Sequence, residues 1–169
     1  MIKLEDLSSY IKSVLAMVIS ENVVEKLEKG DGYECCRSAL DLCWEWVGNE
    51  NIEKLDPWNL CLYLDDESGI HLVYYSDTEE KSDIYCIVFA TVAYIAKLQF
   101  LEKKYDYPEY LEGADDEYYQ IIIDTAINME DCDYGEEELC AIINYCNNKM
   151  KEDREFIFCK KEILELFLK

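Results

Sequence analysis

The residues that could do chemistry in this chain are few and poorly matched. Its single histidine, His71, sits in Gly69-Ile70-His71-Leu72 with no nucleophile pattern nearby. General acid–base or triad chemistry therefore lacks a second member. No GxSxG, GxxxxGKS/T or HExxH segment occurs. Two acidic loops come near a calcium-loop pattern and fail it in the same way. In Asp131-Cys132-Asp133-Tyr134-Gly135 and in Asp65-Asp66-Glu67-Ser68-Gly69, the glycine arrives one residue early and the ligand series does not follow. The nine cysteines include no CxxC pair, so a structural zinc site is not expected. Cys36, Cys43, Cys86, Cys140 and Cys146 fall on apolar faces, where a thiol serves as a small hydrophobe. The expectation is a non-enzyme with no catalytic residue, no metal and no cofactor.

Charge is the stronger signal. The chain carries 38 acids and 16 bases, a net charge of −22. Such an excess repels nucleic acid, because phosphates demand Lys and Arg. It suits a partner of the opposite sign. The charge is also uneven. From Tyr105 to Asn148 there is no Lys, Arg or His, and these 44 residues hold 13 acids and seven of the 14 tyrosines. Tyrosine brings large contact area and a polar tip at low entropic cost. The candidate partner-binding residues are therefore Asp106, Tyr107, Glu109, Tyr110, Asp115, Asp116, Glu117, Asp131, Asp133, Tyr134, Glu136 and Glu137. Asp65, Asp66 and Glu67 form a reserve set, and Glu21, Glu25 and Glu28 lie outside both as a comparison.

The elements that must position these residues read as helices. Leu4, Leu7, Ile11, Val14, Leu15, Val18 and Ile19 recur on one face and predict a helix over 4–28, ended by Gly30. Asp31 with Glu34 reads as a capping box for a second helix over about 32–47. That helix has two apolar stripes, one through Cys36, Leu40, Cys43 and Val47, the other through Cys35, Ala39, Leu42 and Trp46. An apolar circumference predicts burial on two sides and a central place. Asp56-Pro57 starts a short helix carrying Trp58, Leu60, Cys61 and Leu64. Ile70 to Tyr75 reads as an extended connector or small hairpin.

Further on, Ile84 to Ala96 is a nearly unbroken apolar run. It is shorter than the roughly 20 residues that cross a bilayer, so a buried helix over 84–101 is expected. Asp115 or Asp116 caps a helix with Tyr119, Ile122, Ala126 and Met129 on one face. Gly135 precedes another, with Leu139, Ile142, Ile143, Cys146 and Met150. Phe156, Ile157, Ile163, Leu164, Phe167 and Leu168 define the last. The expectation is a single all-α, bundle-like domain over 1–169 with about seven helices. The start, Met1-Ile2-Lys3-Leu4-Glu5-Asp6, lacks signal-peptide character. A cytoplasmic protein with reduced thiols and no membrane association is expected.

Three segments together resemble a known family: Ala39-Leu40-Asp41-Leu42-Cys43-Trp44-Glu45-Trp46-Val47, Leu62-Tyr63-Leu64-Asp65-Asp66-Glu67, and Ala90-Thr91-Val92-Ala93-Tyr94-Ile95-Ala96. Over residues 5–150 the chain is similar to immunity protein family six of bacterial polymorphic and contact-dependent toxin systems. The resemblance implies a cytoplasmic helical protein that neutralises a cognate toxin domain. It assigns no functional residue. Together with the charge, it points to a basic toxin, with a nuclease preferred. The alternative that the charge supports is an acidic nucleic-acid mimic that sequesters a DNA-binding protein.

Overall fold

The computed structural model describes residues 6–50, 52–65, 67–76, 81–130 and 132–168. The described residues form eight α-helices: α1 Ser9–Val24, α2 Asp31–Val47, α3 Pro57–Leu64, α4 Ile70–Tyr75, α5 Ser82–Lys103, α6 Asp116–Asn128, α7 Glu136–Glu152 and α8 Lys160–Phe167. Short 3-10 turns occur at Ile52–Lys54 and Glu109–Leu111. Among the described residues there is no strand, as the all-α expectation requires.

The centre is α1 crossed by α5, not α2. Every α1 residue from Ile11 to Val24 is buried. Sequence alone misplaces this helix because Lys12, Ser13, Ser20, Glu21 and Asn22 look like a solvated face. Each instead has a partner, with Lys12 on Asp116, Ser13 on the Ser9 carbonyl, Ser20 on Thr91, Glu21 on Arg37 and Asn22 on Asp133. Buried polar groups are tolerated when so satisfied. On α2 only the first stripe is buried together with Ala39 and Trp44; Cys35, Leu42 and Trp46 are half-buried. The Trp46 indole donates to Glu102 at 2.7 Å near the surface.

Helix ends follow from capping chemistry. Ser8 accepts from the Ile11 N–H and starts α1 later than the periodicity suggests. Gly30, not Asp31, occupies the N-cap of α2, and Asp31 and Glu34 lie in its first turn. Gly48 closes α2 through its N–H to the Trp44 carbonyl, and Asn49 takes a positive φ of 53°. Asp56 caps α3 through the Trp58 N–H. Phe156 and Ile157 precede α8 rather than lie in it. Phe158 there is buried, and its N–H donates to the Tyr10 hydroxyl, which donates to the Val47 carbonyl.

The segment Ile70–Tyr75 is a helix, not an extended connector or hairpin. Its β-branched and aromatic residues suit a strand, but the described residues offer no neighbouring strand. Its backbone groups pair within the segment instead, starting with Leu72 and Val73 N–H to the Gly69 carbonyl. Gly69 is required there, since a Cβ would sit 2.3 Å from the Tyr63 carbonyl oxygen.

Helix α5 spans 22 residues, longer than its apolar run, and is long and apolar enough to cross a membrane. Most of its apolar window, 72%, is buried against the rest of the bundle. It packs on α1, α2, α3 and α6.

Candidate partner-binding surface

The acidic segment does not form one surface. Its helix-starting acids split between the start of α6 and the start of α7. Asp116 pairs with Lys12 and Asp133 with Asn22, ten residues apart along α1, or about 15 Å at 1.5 Å per residue. At the start of α6, Asp115 caps the helix by accepting from the Glu117 N–H at 3.0 Å. Asp116 accepts from Lys12 at 2.6 Å, and the Lys12 side chain is only 7% exposed. At the other end, Asp133 accepts from Asn22 and Lys26 at 2.8 and 3.0 Å. Glu136 and Glu137 lie in the first turn of α7, where negative charge complements the helix dipole. These acids therefore have structural duties.

Tyr134 is not a surface residue. It is 2% exposed, and its hydroxyl donates to the Phe167 carbonyl at 2.6 Å, fastening α8 to the body. Burial raises its hydroxyl pKa well above the ordinary tyrosine value. Asp131 and the reserve residue Asp66 lie outside the described residues.

The remaining candidates come together elsewhere. After α5 the chain turns back along it, and the Tyr105 N–H bonds to the Phe100 carbonyl at 2.9 Å. Lys97 anchors the return by donating to the Glu112 carbonyl, and its ammonium lies 5.3 Å from the Tyr107 ring centre. Asp106, Tyr107, Glu109 and Tyr110 are exposed along this return. It lies beside α3, where the Tyr110 hydroxyl meets the Cys61 thiol and feels the Asp65 charge. Burial, the Cys61 bond and that charge all raise the Tyr110 pKa, so it stays a neutral phenol. The reserve acids Asp65 and Glu67, both exposed, adjoin this place.

Sequence reasoning missed the apolar part of this face. Trp58 and Leu62 are 51% and 64% exposed on α3, and neither is among the candidate binding residues. The Trp58 ring meets the buried Phe100 edge-on at 5.1 Å, so it is held rather than loose. Leu101, Tyr105 and Tyr110 are also about half exposed, at 52%, 53% and 51%. The available signal is spacing: Trp58 and Leu62 are i, i+4 neighbours, off the stripe of Leu60 and Leu64 that the helix buries. The result is an aromatic and aliphatic face with carboxylates at its edges, the anatomy of a protein interface.

The family model for the immunity protein Imm6 matches residues 11–129, well over half of the chain. The chain belongs to the Imm6 immunity protein family. No curated protein and no solved structure matches it. The Imm6 match spans α3, α4, the return segment and α6, and stops before Asp133, Glu136 and Glu137.

The chain also has a concavity of about 380 Å³ between α4 and the start of α5, lined by His71, Tyr74, Tyr75, Asp83, Cys86 and Phe89 among others. The His71 ring packs 4.5 Å from that of Phe89. Cys86 is exposed here, contrary to its expected apolar placement, while Cys36, Cys43, Cys61 and Cys146 are buried. No disulfide forms, and no group of three or more potential metal ligands occurs among the described residues.

Proposed function

We propose that this chain binds and neutralises a cognate bacterial toxin domain, as a cytoplasmic immunity protein of a polymorphic or contact-dependent toxin system. Membership of the Imm6 family carries this reading. The net charge of −22 favours a basic toxin surface. Toxins that attack nucleic acid need such a surface to hold phosphates, so a nuclease is the preferred target. Protection then follows from stoichiometric occlusion by an acidic, tyrosine-rich surface and needs no catalytic group. The pairing of Asp116 with Lys12 and of Asp133 with Lys26 speaks against a continuous phosphate-like row of charge, as a nucleic-acid mimic would use.

The test is co-expression with the toxin domain encoded directly upstream. Cells should survive the toxin only when this chain is present, and the two should co-purify at a one-to-one ratio. Death of cells carrying both proteins, with no complex between the purified pair, overturns the proposal.

A further inference from the structure

We infer that the toxin domain docks on the face built by α3 and the return segment 105–112, with Trp58, Leu62 and Tyr110 at its centre. This assignment rests on the function proposed above and adds the surface and the chemistry of the partner. The partner would present a basic rim around an apolar depression.

Three observations single out this face. It gathers exposed apolar area in one place: Trp58, Leu62, Leu101, Tyr105 and Tyr110 are each about half exposed or more. Contiguous apolar area of this kind marks interaction sites on folded proteins. The central residues are also preorganised. Trp58 is braced on Phe100, Tyr110 on Cys61, and Tyr107 lies beside Lys97. Rigid aromatic anchors bind at low entropic cost. Finally, Asp65, Glu67, Asp106 and Glu109 are exposed around it. Unlike Asp116 and Asp133, none of these four forms an ion pair with a lysine or arginine among the described residues.

The charge also selects the occupant. A second copy of this chain would bring another −22 against the same acidic rim, and like charges at an interface are repulsive. A basic protein gains from both the rim and the centre.

The experiment measures association and dissociation of the upstream toxin domain with the full chain and three variants. Leu62→Lys places a cation at a 64% exposed helical position without removing a buried contact. It should weaken binding by about tenfold or more. Tyr110→Ala should act mainly on dissociation, by a similar factor. Asp106→Lys with Glu109→Lys should slow association and flatten its salt dependence. The control reverses Glu152, Glu155 and Glu165, which are exposed on the end of α7, the following turn and α8, and should change binding less than about threefold. Circular dichroism melts confirm that each variant is folded. Tight binding left intact by all three variants removes this face while leaving the immunity function standing. Absence of any complex with the unaltered chain removes both. Self-association through this face in sedimentation, abolished by Leu62→Lys, would assign it to a second copy and overturn the inference.

Discussion

Arg37 sets both terminal guanidinium nitrogens on the two carboxylate oxygens of Glu21, at 2.6 and 2.5 Å. Glu21 is 4% exposed and also accepts from the Trp44 indole at 2.6 Å, while Lys160 of α8 approaches at 3.5 Å. One buried carboxylate thereby joins α1, α2 and α8. Removing it by Glu21→Ala leaves the Trp44 indole N–H without its acceptor and the Arg37 guanidinium with only the exposed Asp41. The expected cost is about 3–5 kcal/mol, or about 6–20 °C in Tm for a chain of this size. Asp41→Ala removes a 55% exposed partner of the same Arg37 and should cost less than about 1 kcal/mol. Thermal melts of the two variants separate these values. Glu21 is for the same reason unsuited to a surface-charge comparison with Glu25 and Glu28.

The two tryptophans at the end of α2 should differ. Trp44 is 4% exposed, so Trp44→Ala should cost about 3–5 kcal/mol. Trp46 is half-buried with its N–H on Glu102, so Trp46→Phe should cost about 1 kcal/mol. Urea unfolding followed by circular dichroism measures both. Equal losses would contradict the placement of α2 at the margin of the core.

The acids at the start of α6 should act on folding. Asp116→Ala leaves the buried Lys12 ammonium without its carboxylate, at an expected cost of about 1.5–3 kcal/mol. Asp115→Ala removes an N-cap, worth about 1 kcal/mol. Any loss of protection by these variants should track the fraction unfolded. A folded Asp116→Ala protein that no longer binds toxin would move the docking site to α6.

Thiol reactivity should follow burial. Denatured protein should titrate nine free thiols. In the native state Cys159 and Cys86 are exposed and should react first. Cys159 should lead, because Cys86 lines the concavity beside α4, where partial desolvation of its thiol and nearby Asp83 hold its pKa above the ordinary value. Cys36, Cys43 and Cys146 should react only on unfolding, because burial disfavours their thiolates. Mass mapping after brief alkylation checks the order.

Alkaline pH should unfold the protein. Burial pushes Cys146 and Tyr94 up to about 12, from ordinary values of 9.0 and 10.0. Tyr119 and Tyr134 are raised further for the same reason. The unfolded chain releases these protons first, so it is favoured as pH rises. The stability these groups contribute is present below pH about 9 and is lost progressively towards pH about 12. A denaturation midpoint unchanged from pH 8 to 11 would contradict the burial of these hydroxyls and thiols.

The sequence alone determined the helical class, the start of α3 at Asp56, that of α6 to within one residue at Asp115 or Asp116, the stop at Gly48 and the buried nature of α5. These features are local: a carboxylate oxygen two residues ahead of an N–H, or an apolar run too long to leave exposed. It also determined the charge and its concentration between Tyr105 and Asn148. The tertiary structure alone decided which polar residues were spoken for. Glu21 and Lys12 look solvated because their partners, Arg37 and Asp116, lie 16 and 104 residues away. Tyr134 looks like a surface tyrosine because the carbonyl that buries it belongs to Phe167. Trp58 and Leu62 are apolar residues on a short helix, and nothing local to α3 tells that they stay exposed beside the return segment while Leu60 and Leu64 are buried. Periodicity reports that a helix has an apolar face; only the packing of distant segments decides whether that face is covered or left for a partner.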